Sequence, residues 1–291
     1  MKKSIFLEPP KKFNFKSTLY SHGWSRLLPF TIEAESTGFC YVFSDKISAV
    51  AGIVNEVEGK IKVTLENEKI ADEKIVRDVR RILRFDDDLS QFYKLVKTEK
   101  SLGWITKIGA GRLLRSPTVF EDLVKTICTT NCSWAMTEKM VVNLVEKLGA
   151  SSDGGKRTFP TAEAMAGVSP DFYKNEIRAG YRSGYFVELA EKVAGGKLNP
   201  ELWLDSKLPT RELKKQMKSV KGVGDYAAEN LLKLVGSYEG LALDSWVRAG
   251  FYAKHNNQQI CDDREIEKFY ERFGEWRGLA AWCDMTEKWF D

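Results

Sequence analysis

The chain has 291 residues, with 45 Lys plus Arg against 41 Asp plus Glu, a formal net charge of +4 and 43% hydrophobic residues. This balance excludes a disordered chain and supplies enough apolar residues for a well-buried core, while no run approaches the ~20 apolar residues of a membrane span. Two histidines, His22 and His255, and five scattered cysteines, Cys40, Cys128, Cys132, Cys261 and Cys283, exclude a His-rich metal site and a four-Cys iron–sulfur cluster.

An odd cysteine count without a C-x-x-C pair predicts reduced thiols and a cytoplasmic, nucleoid or nuclear location. Cys128 and Cys132, one helical turn apart, are expected to pack. The basic start is interrupted by Glu8, Pro9 and Pro10, which predicts no secretory signal.

The first 70 residues read as strands. Ile32 and Ala34 share one phase, Cys40 to Phe43 is a short β-prone run, and 47–54 is mostly apolar. Ile61, Val63 and Leu65 alternate with Lys60, Lys62 and Thr64 after a turn at 55–59. The pattern predicts an antiparallel sheet with one wet face.

From Ala71 the period is helical. Ile75, Val79, Ile82 and Leu83 form one stripe; Phe120, Leu123, Val124 and Ile127 form another behind a helix start at Ser116-Pro117. Thr161 after Pro160 reads as a second cap, and 149–157 as an exposed loop. The fold class is α+β, a β-rich domain over 1–70 followed by an all-helical, two-lobed domain over 71–291.

The chemistry concentrates in residues 208–248. A short amphipathic helix from Thr210 to Ser219 ends in Val220-Lys221-Gly222-Val223-Gly224, and a second helix runs through Ala227, Leu231, Leu234 and Val235. Two glycines around an apolar pin allow a tight hairpin with uncovered N–H groups, and the following helix brings its positive end to a phosphate oxygen. Six basic residues, Lys218 and Lys221 among them, stand against one acid from Lys207 to Gly224, a local field that favours nucleic-acid backbone over a plain connector. Further on, the apolar run Leu241-Ala242-Leu243 delivers Asp244 at a helix start. It reads both as an N-cap and as a carboxylate set in an apolar wall.

The hairpin, the helix after it and Asp244 resemble the helix-hairpin-helix and Gly/Pro-Asp signature of base-excision DNA glycosylases. The segments 111–117 and 127–131 are similar to the entry helix of the 8-oxoguanine glycosylases, and Gly180-Tyr181-Arg182-Ser183-Gly184-Tyr185 resembles their Gly-Tyr-Arg segment. The layout of strands followed by helices is shared with the alkylpurine (AlkA-type) branch.

The resemblance implies an enzyme that flips a damaged purine, alkylated as in 3-methyladenine or oxidised as in 8-oxoguanine, out of double-stranded DNA and cleaves its glycosidic bond. It implies Asp244 as the catalytic carboxylate. Asn131 would fill the gap left by the base, Tyr181 would wedge into the stack and Arg182 would meet the partner base. Trp246 is placed at a phosphate. The backbone carbonyls of Val220 and Val223 are expected to hold a Na+ or K+ ion; no other cofactor, no membrane and a monomer are expected. Tyr226, Phe273, Trp276 and Trp282 are candidates for the base pocket, with His22-Gly23-Trp24 a weaker one.

One position departs from the bifunctional members. Where they carry a Schiff-base lysine this chain has Tyr226, and a phenol of pKa ~10 forms no imine. A monofunctional, water-using enzyme is therefore expected, with Asp225 capping the second helix. The rival reading is a non-catalytic helix-hairpin-helix DNA-binding protein.

Overall fold

The computed structural model describes residues 3–32, 38–45 and 47–290; Ala34 lies outside them. The architecture is the expected α+β one, a five-stranded antiparallel sheet followed by helices. The chain divides into two compact units, one of residues 1–11, 22–86 and 114–202, the other of 12–21, 87–113 and 203–291. The expected boundary at residue 70 is thus corrected. It marks a change of secondary structure, whereas the sheet shares its unit with the helices that cover it.

In the first unit the strands β1 (Lys3–Leu7), β2 (Thr31–Ile32), β3 (Phe39–Ser44), β4 (Ala49–Val57) and β5 (Lys60–Leu65) lie in the order β1-β5-β4-β3-β2. The alternation of β5 is realised, with Ile61, Val63 and Leu65 buried. The turn before it is shorter than expected: β4 runs through Asn55, Glu56 and Val57, and Glu58 and Gly59 alone reverse the chain at φ 50° and 78°. Two consecutive left-handed residues match the twist of the flanking strands.

The wet face is realised on β5, where Lys60, Lys62 and Thr64 keep exposure, but not on β3, which is buried on both faces from Phe39 to Phe43. On one side Tyr41 donates to Glu121 Oε2 at 2.7 Å; on the other Lys156 Nζ lies 3.2 Å from Cys40 Sγ. The loop that supplies Lys156 is closed by a bridge between Ser151 and Arg157.

Helix α1 (Asp72–Ile82) buries the stripe read from sequence, and α2 (Val119–Thr129) buries every residue from Val119 to Cys128. Its start is Thr118, whose side chain accepts the Glu121 N–H. Ser116 is instead buried, its N–H donating to Asp122 Oδ1 at 2.8 Å. Helix α3 (Trp134–Leu148) follows, and Thr161 caps the next helix as expected. Cys132 donates to the Cys128 carbonyl, and all five thiols are free.

The second unit holds the helices Ser90–Lys97 and Gly103–Ile108, then α4 (Thr210–Lys218), α5 (Asp225–Val235), α6 (Ser245–His255), Asp263–Tyr270 and α7 (Arg277–Thr286). Phe92, Tyr93, Phe251, Tyr270 and Leu279 anchor its core. Gly278 lets α7 touch the chain ahead of Asp244. Its N–H donates to the Tyr238 carbonyl at 2.7 Å, and a Cβ there would stand 2.0 Å from the Gly240 carbonyl oxygen. None of the described helices is long and apolar enough to cross a membrane.

Charge buried in α2 gives a stability test. Lys125 Nζ lies 2.6 Å from Glu121 Oε1 and sits over the rings of Phe30 and Phe159. Burial raises the Glu121 pKa, and Lys125 opposes that rise. Lys125→Met is expected to cost about 3 kcal/mol by stranding the Glu121 carboxyl. The double variant Lys125→Met/Glu121→Leu is expected to lose less, as read by urea denaturation.

Candidate active site

The hairpin is built as the sequence suggests. The Val223 N–H closes the turn on the Val220 carbonyl at 3.1 Å, and both side chains are buried as the pin between α4 and α5. Gly222 stands at φ 89°, the left-handed conformation that favours glycine. Gly224 is the N-cap of α5, exposed, with open space where a Cβ would be. Its bare backbone leaves the first N–H groups of α5 accessible to an oxygen ligand.

Asp225 is corrected from cap to first helical residue. Lys218 Nζ reaches its two carboxylate oxygens at 3.0 and 2.9 Å, and Lys214 Nζ stands 3.1 Å away. These lysines hold the Asp225 carboxyl below its ordinary range. Lys218, read from sequence as a DNA contact, is therefore engaged with a carboxylate of its own hairpin, while Lys221 is exposed in the turn.

Asp244 caps α6, its Oδ1 accepting the Val247 N–H at 2.8 Å. Leu241 and Ala242 just before it are buried, so the half-buried carboxylate leaves an apolar wall, as read from sequence. The phenol of Tyr226 neighbours this carboxylate. Burial first, then the negative charge of Asp244, push the phenol up to about 12.

Two further residues support the segment carrying Asp244: Glu229, to which the sequence assigns no role, and Lys233, which lies off the nucleophile position. Glu229 accepts the Ala242 N–H at 2.6 Å through one oxygen and binds Lys214 Nζ at 2.6 Å through the other. Ala242 is held at φ 52°. Lys233, only 2% exposed, places Nζ 3.4 Å from the Leu241 carbonyl. Burial pulls its pKa down to about 8, against the charges of Glu229 and Asp244. A signal was available: Tyr226, Glu229 and Lys233 step at i, i+3 and i+7 along one face of α5.

The aromatic candidates separate. Trp246, 43% exposed, meets Trp282 at 5.7 Å and Trp289 at 5.5 Å between ring centroids. Trp289 was missed, although it lies seven residues after Trp282. Phe273 is 3% exposed in the core, and the half-buried Trp276 packs against that core, stacked between Phe92 and Tyr238. His22 is held by the Leu114 carbonyl at 2.6 Å, and the buried Trp24 donates to Asp122. A Cβ on Gly23 would overlap the Trp134 ring. That segment is likewise packing.

In the first unit Asn131, Tyr181 and Arg182 gather at the C-terminal end of α2. Asn131 is exposed at φ 47°, and Tyr181 is 55% exposed with its hydroxyl donating to the Thr130 carbonyl at 3.3 Å. Arg182 is corrected. It is 5% exposed, its Nε donates to the Ile127 carbonyl at 3.1 Å, and its Nη2 donates to the Thr130 carbonyl. The guanidinium closes a helix end, where cationic donors satisfy leftover carbonyls.

No family model matches the chain. A DNA-3-methyladenine glycosylase of Bacillus subtilis is 25% identical over 164 residues, 55% of this chain and 54% of that protein. The chain thus spans about half the length of the curated relative it matches. Among solved structures, the 3-methyladenine DNA-glycosylase from Archaeoglobus fulgidus superposes with a TM-score of 0.77 at 21% identity, over 99% of both chains. The Clostridium acetobutylicum 8-oxoguanine glycosylase/lyase, in complex with double-stranded DNA containing cytosine opposite 8-oxoguanine, gives 0.76 at 20% identity, over 100% of this chain and 98% of that one. With its sheet, its hairpin and its capping aspartate, the chain has the fold of the helix-hairpin-helix DNA glycosylases.

Proposed function

We propose that this protein is a DNA N-glycosylase that flips a damaged purine out of duplex DNA and hydrolyses its bond to the sugar, without lyase chemistry. The observation that carries the reading is the Asp244 carboxylate, seated at the start of α6 at the end of a buried apolar run, its Oδ1 fixed by the Val247 N–H and the Tyr226 phenol beside it. A carboxylate there stabilises the positive charge that develops on the sugar as the base leaves. Water completes the reaction, because the position after Asp225 bears a phenol rather than an amine.

The backbone contacts follow from the hairpin. The open N–H groups at Gly224 and the lysines of α4 take phosphate oxygens. The Val220 carbonyl uses one lone pair on Val223 N–H and has a second for a Na+ or K+ ion, which with the Val223 carbonyl would stiffen the turn. Trp246, Trp282 and Trp289 offer ring faces to an alkylated, electron-poor purine, whose cationic ring favours aromatic contact. Such ring faces favour alkylated over oxidised purines.

Base release from duplexes carrying alkylated or oxidised purines is the direct test. Asp244→Asn is expected to slow single-turnover release by at least about 100-fold with DNA binding retained. Borohydride is expected to trap no covalent adduct, and a stable adduct overturns the hydrolytic reading. Release of no base from any duplex in the panel establishes the binding-only alternative.

The ion pairs of Asp225 predict a second result. Asp225→Asn removes the carboxylate that engages Lys214 and Lys218. Affinity for any duplex is expected to rise, and the slope of log K against log salt to steepen by about 1 for each lysine transferred to phosphate. Fluorescence anisotropy across a salt series reads both.

A further inference from the structure

Three donors converge on the end of α2. The Thr130 carbonyl accepts from the Tyr181 hydroxyl and from Arg182 Nη2, and the Ile127 carbonyl accepts from Arg182 Nε. The guanidinium carbon lies 4.5 Å from the centroid of the Tyr181 ring. Asn131 follows directly, exposed and left-handed at φ 47°. Asparagine tolerates that conformation better than most residues, but it still needs its neighbours to fix it.

From this geometry we infer that Arg182 is a positioning residue for the Asn131 turn, and that excision does not discriminate the base opposite the lesion. The inference rests on the glycosylase reading above. An arginine that reads a base does so by presenting a pair of N–H groups to its edge. Here Nε and Nη2 face two main-chain carbonyls, and the guanidinium lies over the Tyr181 ring. Reading a partner base would require breaking two charge-assisted bonds and exposing a side chain that is 5% accessible. Tyr181 offers a ring face, and stacking tolerates every base. Asn131 is the remaining polar side chain of the group, and its conformation depends on the clamp.

The test uses the full chain and one lesion placed opposite C, T, A or G. A reading arginine separates partners by roughly 5- to 150-fold, so single-turnover rates that agree within about threefold support the inference. A preference above about tenfold for one partner overturns it, whether or not Arg182→Met alters that preference.

Binding to duplexes with a tetrahydrofuran abasic site opposite each base gives the same comparison without chemistry. Absent excision with even binding removes the glycosylase reading and leaves the Arg182 assignment standing. Uneven binding overturns the assignment itself.

The positioning role has its own readout. Arg182→Met is expected to weaken abasic-site binding about tenfold and equally for all partners, with Arg182→Lys recovering part of the loss. In combination with Asn131→Ala the losses are expected not to add, because both act through one turn. Additive losses overturn the positioning role, and a thermal melt of each variant identifies one that is simply unfolded.

Discussion

The second unit holds the Asp244 carboxylate half-buried at the start of α6, and the proposed role, acting on developing positive charge, depends on its aim being fixed. Each support is local. The Val247 N–H fixes Oδ1, and the Tyr226 phenol neighbours the carboxylate. Behind them Glu229 holds the Ala242 N–H and Lys233 lies against the Leu241 carbonyl. The carboxylate is thereby mounted on α5 as well as on α6. This explains why α5 carries two ionisable side chains on the face that a simple amphipathic helix would fill with leucine.

The same helix completes the hairpin, so in the proposed reading one element connects backbone binding to the carboxylate. Asp225 shows how those two demands meet. An acid in the first turn suits the helix dipole, yet it lies where a phosphate oxygen would bring like charge. Lys214 and Lys218 neutralise it in the free protein. The Lys218 bridge is partly exposed and individually weak, so phosphate can compete for that lysine at little cost, whereas Lys214 is also held by Glu229. The local six-to-one excess of basic residues is therefore partly engaged before any nucleic acid arrives.

What was legible in the sequence followed from periodicity and from backbone requirements. The β5 alternation, the α1 stripe, the two-glycine turn and the Asp244 cap were all read correctly, because each depends on neighbours within a few residues. What was missed depends on partners distant in sequence. Nothing in the stripe of α2 announces that Glu121, Asp122 and Lys125 are buried beneath the sheet. Arg182 and Trp276 were given functional roles by resemblance to the glycosylases, and a resemblance carries no information about local packing. Their actual partners, the α2 carbonyls and the rings of Phe92 and Tyr238, come from segments tens of residues away or more. Ser116-Pro117 was a reasonable start signal displaced by two residues, since Thr118 has the open backbone that a cap requires.

Lys233 shows why acidity alone does not nominate a nucleophile. Burial brings its pKa down to about 8, which by itself is the mark of an activated amine. Its Nζ is turned to the Leu241 carbonyl, however, and the residue is 2% exposed. An amine that attacks a sugar must reach the anomeric carbon from an open face, and on α5 that face is occupied by Tyr226, seven residues earlier. The two positions divide what a single lysine does in a lyase: Tyr226 has the access without the amine, and Lys233 has the amine without the access. That division is a physical reason for the reaction proposed here to proceed through water.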